Sequence, residues 1–168
     1  MKTIVLTGMM GSGKTSVGKL LAEKISSEFT DIDLEIEKKY GITISEIFAN
    51  FGEKYFRKIE SEMILDVFKS ENMVISLGGG AFQDDKIREF LLNNSDVFYL
   101  KTSAQVILER IKNDKSRPLL CDNMNVEKIN ELIEIRKTNY ESASYTVDTD
   151  NLSQQKVVEN ILGILGNG

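Results

Sequence analysis

Eight residues, Gly8 to Thr15, constrain what this chain can fold into more than any other part of its sequence. They read Gly-Met-Met-Gly-Ser-Gly-Lys-Thr and fit the pattern G-x-x-x-x-G-K-[ST]. They also follow a short apolar run that predicts a strand, Thr3 to Thr7, and precede a helical pattern. Glycines here let the backbone aim its N–H groups at phosphate oxygens, and the helix adds the positive end of its dipole. The sequence therefore predicts a phosphate-binding loop rather than a flexible glycine turn, with Lys14 bridging the β- and γ-phosphates and the Thr15 hydroxyl coordinating Mg²⁺.

Short apolar runs alternate with longer helical patterns along the rest of the chain. The runs that predict buried strands are 3–7, 28–32, 73–77, 97–100 and 145–147. This alternation predicts an α/β fold with a parallel sheet and helices on both faces, and it places ligands beyond the carboxyl ends of the strands. With 168 residues, one domain is the default. Thr43 with Glu46 resembles a capping box, and Ser103 is a candidate N-cap.

Composition excludes several function classes. A net charge of −5 argues against general nucleic-acid binding, and no stretch approaches the ~18 apolar residues of a membrane span. Cys121 is the only cysteine, so no intrachain disulfide can form, which fits a reducing cytosol. The chain has no histidine, so any proton acceptor must be a carboxylate or another group.

Many protein classes use a phosphate-binding loop, and the rest of the chain discriminates among them. A GTPase would need D-x-x-G and N-K-x-D, and neither occurs. A mechanical ATPase normally ends a later strand in Asp-Glu, whose glutamate activates water, whereas the 73–77 run leads into Gly78-Gly79-Gly80. A kinase that delivers phosphate to a substrate hydroxyl is therefore the better interpretation.

Asp31 and Asp33 follow the second predicted strand. Residues two apart in an extended segment face the same way, so both carboxylates are expected to point into the cleft. One would support the metal through water, and the other would meet the acceptor hydroxyl. Capping of the next helix by either aspartate explains the pair equally well.

Three arginines are candidates for binding anions. Arg57 and Glu60, at i, i+3, indicate either a surface ion pair worth little or an Arg fork, held by Glu60, that receives a carboxylate. Arg117 lies in the polar stretch 113–125, the best candidate for a mobile loop, and from there it can swing onto the transferring phosphoryl group. Arg136 and Tyr140 lie at i, i+4, which alone is more typical of a solvated helix face.

The triple glycine indicates either a turn or bare backbone on which a ligand ring can lie.

Taken in this order, the motifs resemble those of shikimate kinases. The matching features span about residues 1 to 165 and are the Gly8 to Thr15 loop continuing to Ala22, Asp31 with Asp33, Phe56-Arg57-x-x-Glu60, the triple glycine, Arg117-Pro118-Leu119-Leu120, and Arg136-x-x-x-Tyr140. The resemblance implies a three-layer P-loop NTPase fold of the nucleoside-monophosphate-kinase type, with a five-stranded parallel sheet flanked by helices. It also implies a single domain over 1–168, with a helical substrate-binding region at about 33–61 and a mobile lid at about 112–125.

The resemblance further implies transfer of phosphate from ATP to shikimate, giving ADP and 3-phosphoshikimate, in a cytoplasmic enzyme that we expect to be a monomer. The residues it implies for the nucleotide are Gly11, Ser12, Gly13, Lys14, Thr15, Ser16, Arg110 against the adenine and Arg117 from the lid. Those implied for shikimate are Asp33, Arg57, Gly79, Gly80 and Arg136. Thr15 and Asp31 are implied for Mg²⁺, and Lys14, Asp33 and Arg117 for catalysis.

One loop departs from the family pattern, and two other functions remain as alternatives. Family members often place a basic residue or proline near the adenine before the last helix, and the loop 148–153 has neither. A gluconate kinase shares the scaffold, but Asp31, Asp33 and the triple glycine suit a compact ring better than an extended chain. A regulatory ATP-binding module would keep the glycine loop and would need no acceptor-site arginines.

Overall fold

The computed structural model describes residues 2–113 and 124–166. Its strands are β1 (Ile4–Thr7), β2 (Glu28–Asp31), β3 (Met73–Ser76), β4 (Asp96–Lys101) and β5 (Tyr145–Asp148). Its helices are α1 (Lys14–Lys24), α2 (Ile32–Tyr40), α3 (Ile44–Val67), α4 (Asp85–Asn94), α5 (Ala104–Asn113), α6 (Val126–Glu141) and α7 (Gln154–Gly166), with a short 3₁₀ helix at Ala81–Gln83. None of these helices is both long and apolar enough to span a bilayer. Arg117, Cys121 and most of the predicted lid lie outside the described residues.

The five strands form one parallel sheet in the order β2-β3-β1-β4-β5. The predicted α/β fold and all five predicted strands are confirmed. The expectation that every strand is buried is wrong for β2 and β5. These are the edge strands, and Val147 is the only fully buried residue in either of them. Strands β1 and β3 are buried at every residue, because they have a neighbour on each side and helices on both faces.

Two apolar cores, one on each face of the sheet, create the three layers. Neighbouring residues of β1 alternate between them: Val5 belongs to the core under α2 to α6, and Ile4 and Leu6 belong to the core under α1 and α7. The alternation follows from the two-residue period of a strand. Since both faces are covered, the open ends of the strands are where polar ligands can reach the sheet.

Helix starts explain how the site residues are placed. Thr43 and Glu46 form the predicted capping box at the start of α3, and Ser103 Oγ accepts from the Val106 N–H at the start of α5 (3.5 Å). At the end of β2, the Asp31 carboxylate caps α2 by accepting from the N–H groups of Asp33 and Leu34. The expectation that Asp31 and Asp33 share an extended segment is therefore wrong, because the cap turns the chain into a helix after Asp31.

Helix α3 is broken at Gly52, within the predicted substrate-binding region. Gly52 has φ 80° and ψ 170°, whereas the residues on either side are helical. This backbone conformation is accessible almost only to glycine. A Cβ on Gly52 would have no atom within 4 Å, so glycine is needed here for its backbone and not for space.

We expect Gly52→Ala to lower the free energy of unfolding by about 1–3 kcal/mol, because alanine must adopt a strained conformation or shift the break in α3. The matched control is Gly163→Ala inside α7, where a Cβ also has open space and φ is not positive. That change should stabilise the fold by roughly 0.5–1 kcal/mol. Urea denaturation of both variants measures the difference, and equal stabilities would show that alanine fits the backbone at position 52 without strain.

Candidate active site

A cleft of about 680 Å³ lies at the carboxyl ends of the strands. Its wall is formed by the glycine loop with the first turn of α1, by Asp31, Asp33 and Gly79, and by Arg110 with the segment 149–157. The structure thus brings together Gly11, Ser12, Gly13, Lys14, Thr15 and Ser16, as the sequence predicts. Arg57, Gly80 and Arg136 do not line this cleft and adjoin it through the glycine turn 78–80.

The glycine loop presents hydrogen-bond donors to the cleft. The Lys14 ammonium donates to the carbonyl oxygens of Gly8 (2.9 Å) and Met9 (2.8 Å), which hold it under the loop. Gly13 provides no side-chain cap for α1 and has φ 94°, so the first-turn N–H groups of the helix remain available. The Ser12 side chain is 1% exposed, and its Oγ has no hydrogen-bond partner within the described residues. A buried hydroxyl, a positive helix end and an ammonium form a suitable site for phosphate oxygens.

Thr15 and Asp31 lie at the mouth of the loop, where a metal would contact phosphate. The Thr15 hydroxyl donates to Asp31 Oδ2 at 2.6 Å, while Asp31 Oδ1 caps α2. Among the described residues, no group of three or more Asp, Glu, Cys or His side chains can hold a metal ion. Mg²⁺ does not need one, since it is commonly held by one or two protein oxygens together with substrate phosphates and water. These two oxygens fit that use.

Arg110 braces the glycine loop against the segment before α7. Its guanidinium donates to the carbonyl oxygens of Gly11 (3.3 Å), Ser12 (3.2 Å) and Thr149 (3.3 Å). The Thr149 hydroxyl in turn lies 2.6 Å from that of Thr102. Because the edges of the guanidinium are used in these bonds, its flat face is what Arg110 can offer to a ligand ring.

Arg57 is held by two acids of its own helix. Its Nη1 lies 2.6 Å from Glu60 Oε2, and its Nη2 lies 3.4 Å from Glu53 Oε1. The pair with Glu60 is no surface ion pair, because the Glu60 side chain is only 2% exposed. A Cβ on Gly80 would come within 2.2 Å of Arg57 Nη2, so the guanidinium lies directly on the backbone of the glycine turn.

Glu60 and Asp33 approach the same turn from two helices. A Cβ on Gly78 would lie 2.5 Å from Glu60 Oε1 and 2.8 Å from Asp33 Oδ1. Burial raises the pKa of the Glu60 carboxyl to about 7; Arg57 opposes this shift, Asp33 adds to it and Arg136 opposes it. Two carboxylates therefore converge where β3 ends, and one of them titrates near neutral pH.

Arg136 and Tyr140 lie on the opposite side of the turn. Arg136 Nη1 donates to the Gly79 carbonyl at 3.2 Å and lies 3.7 Å from the Met9 sulfur, and the Tyr140 hydroxyl donates to the same carbonyl. The solvated helix face that this spacing indicates on its own is wrong here, because Tyr140 is fully buried. Within the described residues Arg136 has no ion pair, and Glu134 pairs with Lys137 instead. The charge of Arg136 is thus available to an anionic ligand.

Three features of the site are not indicated by the sequence. They are the Gly8 and Met9 carbonyls that hold Lys14, the Thr149 carbonyl that meets Arg110, and the hydrogen bond between Asn139 and Gln83 beside Gly79. None belongs to a recognisable motif. Only the one-turn spacing of Asn139 from Arg136 could have directed attention to it.

Comparison with known proteins identifies the class to which this geometry belongs. The family model described as "Shikimate kinase" matches residues 10–165. The shikimate kinase of Thermodesulfovibrio yellowstonii is 45% identical over 162 residues, covering 96% of this chain and 94% of the relative. The solved structure of Acinetobacter baumannii shikimate kinase in complex with shikimate superposes with a TM-score of 0.92 and 40% identity, over 99% of this chain and 94% of that one. A gluconokinase from Sinorhizobium meliloti, at 21% identity and a TM-score of 0.66 over 99% and 92% of the two chains, shares the fold alone.

The raised pKa of Glu60 has a consequence for stability. The native state keeps this proton up to about pH 7, whereas the unfolded state loses it near the ordinary value of 4.5, so stability falls as pH rises between these values. The shift corresponds to a loss on the order of 3 kcal/mol. We expect Glu60→Gln to become progressively more stable relative to wild type from pH 4.5 to 7.5, as measured by chemical denaturation.

Glu62→Gln is the matched control for this measurement, because Glu62 lies on the same helix with its side chain 58% exposed. Its stability difference from wild type should stay nearly constant over the same range. If the Glu60→Gln difference is also constant, the pKa of Glu60 is the same in the folded and unfolded states, and Arg57 fully offsets the effect of burial.

Proposed function

The chain belongs to the shikimate kinase family, as its motifs indicate, and from this premise we propose that it transfers the γ-phosphoryl group of ATP to the 3-hydroxyl of shikimate. The products are ADP and 3-phosphoshikimate, and the step belongs to the chorismate route to the aromatic amino acids. One observation carries the proposal. A phosphate-binding loop and two guanidinium groups meet at a single glycine turn, with the Asp33 carboxylate beside it.

The glycine loop would hold the nucleotide. We propose that the backbone N–H groups of Gly11 to Ser16 and the Ser12 hydroxyl bind the β- and γ-phosphates, and that Lys14 offsets the charge that develops on transfer. Arg110 offers its flat face to the adenine while its edges keep the loop in place. Arg117 would reach the phosphates from the lid, in the part of the chain outside the described residues.

Thr15 and Asp31 are the residues whose oxygens would hold Mg²⁺ beside the nucleotide. When bound, the ion neutralises phosphate charge and orients the transferred group. Asp31 has a second task in this chain, since the oxygen that does not meet Thr15 caps α2. The residue that would support the metal therefore also fixes the first turn of the helix that carries Asp33.

The acceptor would lie over the glycine turn, with its carboxylate between Arg57 and Arg136. The charge of Arg136 supports this orientation, because Arg136 has no acidic partner among the described residues. Arg57 already shares its charge with Glu53 and Glu60. Gly79 and Gly80 let the ring approach the backbone. Asp33, at the other side of the turn, would receive the reacting hydroxyl.

Asp33 would act on the hydroxyl as an orienting group and as the acceptor of its proton. The chain has no histidine to take this role. Phosphoryl transfer of this kind passes through a loose transition state, in which the attacking oxygen keeps its proton until late. The main requirement is therefore position, and the cap on α2 supplies it.

We also propose the wider arrangement that the family resemblance implies. The chain would form one domain, with the substrate-binding region at about 33–61 and the lid at about 112–125. The enzyme would work as a cytoplasmic monomer.

The direct test is a coupled assay of ADP release with MgATP and, in parallel, shikimate, gluconate, nucleoside monophosphates or no acceptor. We expect turnover with shikimate only. Gluconate should fail because its carboxylate lies at the end of an extended chain and cannot reach both arginines with a hydroxyl at Asp33.

Lys14→Met is the matched inactive control. Losing one electrostatic stabiliser of this kind should lower kcat by at least ~100-fold while the protein stays folded. Faster turnover with gluconate than with shikimate, or ADP release that is independent of any acceptor, would contradict the proposed function.

A further inference from the structure

One turn of helix α6 is fastened to the segment from Gly79 to Gln83 at three points. Arg136 and Tyr140 both donate to the Gly79 carbonyl. Between them, Asn139 Nδ2 donates to Gln83 Oε1 at 2.9 Å. Residues three and four apart in a helix share a face, so all three side chains point to the same neighbour.

The contact between Asn139 and Gln83 differs from the other two in its partner. Arg136 and Tyr140 reach a backbone oxygen, and Arg136 must be able to turn toward a ligand. Asn139 instead makes a partly buried side chain to side chain bond, in which its amide is occupied by Gln83 Oε1. It can therefore hold α6 in place without itself meeting the substrate.

Gln83 is connected to the other arginine of the site. It ends the 3₁₀ helix Ala81–Gln83, and its N–H donates to the Gly80 carbonyl at 3.0 Å. Gly80 is the residue on whose backbone the Arg57 guanidinium lies. The hydrogen bond between Asn139 and Gln83 thus joins the helix that carries Arg136 to the turn on which Arg57 lies.

We propose that Gln83 and Asn139 are a positioning pair that sets the distance between Arg57 and Arg136, and through it the affinity for a carboxylate-bearing acceptor. The inference rests on the proposed function, because it needs an acceptor whose carboxylate touches both arginines. A carboxylate has a fixed separation between its two oxygens, so a change in the spacing of two guanidinium groups weakens at least one charge-assisted hydrogen bond.

Removing either residue of the pair should displace the other. The Gln83 side-chain amide is bound through its Oε1 atom, which accepts from Asn139. Its Nε2 atom is buried and has no acceptor within the described residues. Without Asn139, the Gln83 amide is left buried with no partner and must move toward water. The 3₁₀ helix and Gly80 would move with it, and the Gly80 backbone is the surface on which the Arg57 guanidinium lies.

Calorimetric titration of wild type, Asn139→Leu, Gln83→Met and the double variant with shikimate, and separately with MgATP, tests the pair. Each single change should weaken shikimate binding about 3- to 10-fold, the scale of one hydrogen bond. The double variant should be no weaker than the worse single variant, since all three lose the same bond. MgATP affinity should stay within about twofold, because neither residue of the pair is among those that line the cleft at the glycine loop.

Asn94→Leu is the matched control, because the Asn94 amide bonds within its own helix to the Phe90 carbonyl (2.8 Å), at the opposite end of the sheet. It should bind both ligands like wild type. A merely structural role would not weaken shikimate binding while leaving MgATP binding unchanged. Two single variants are used so that the test still works if one of them folds poorly.

The outcomes separate the two hypotheses. Wild type that binds MgATP and not shikimate would overturn the proposed function, and the role of the pair with it. Normal shikimate affinity in both single variants, strictly additive effects in the double variant, or equal losses for shikimate and MgATP would overturn the positioning pair alone.

Discussion

The absence of side chains at the end of β3 is the constraint on which both halves of the site depend. Gly78 leaves room for the Asp33 and Glu60 carboxylates, and Gly80 leaves room for the Arg57 guanidinium. A methyl group at either position would occupy space that these charged groups now fill. The Gly79 carbonyl between them accepts from Arg136 and Tyr140. Four charged side chains from three helices are thus positioned against one short stretch of bare backbone.

This crowding is costly to the fold and useful to the site. Burying Glu60 takes a carboxylate out of water, and the rise of its pKa toward 7 shows that Arg57 offsets only part of the desolvation free energy. In return, Arg57 is held at a fixed place on the turn. Arg136, by contrast, has a backbone carbonyl as its partner and no acid within the described residues, so it retains the charge that an anionic acceptor needs.

The sequence was a good guide where a residue's role follows from its neighbours along the chain. The phosphate loop, the five strands and the capping box at Thr43 all depend on local patterns, and all are present. The pairing of Arg57 with Glu60 is likewise a one-turn contact in α3. The shikimate kinase resemblance came from the order of such local motifs, and the comparisons confirm it.

The sequence was a poor guide where position depends on contacts between distant elements. Asp31 and Asp33 do not share a strand, because the Asp31 cap competes successfully with strand extension. Edge position, which no local pattern encodes, leaves most of β2 half-buried and most of β5 exposed. The burial of Tyr140 and the bond between Asn139 and Gln83 depend on where α6 docks against the glycine turn. Spacing along the helix places Asn139 on the same face as Arg136, but it does not indicate which residue Asn139 meets.

In the proposed site, two arginines from α3 and α6 bind one carboxylate over the glycine turn, and the binding of shikimate and of its methyl ester tests this arrangement most directly. In wild type, the ester should bind roughly 10- to 100-fold more weakly than the acid, the scale of one or two hydrogen bonds to a charged group. In the Arg57→Ala, Arg136→Ala double variant, acid and ester should bind nearly equally, because the groups that distinguish them are gone. A double variant that still prefers the acid as strongly as wild type would show that the carboxylate lies elsewhere.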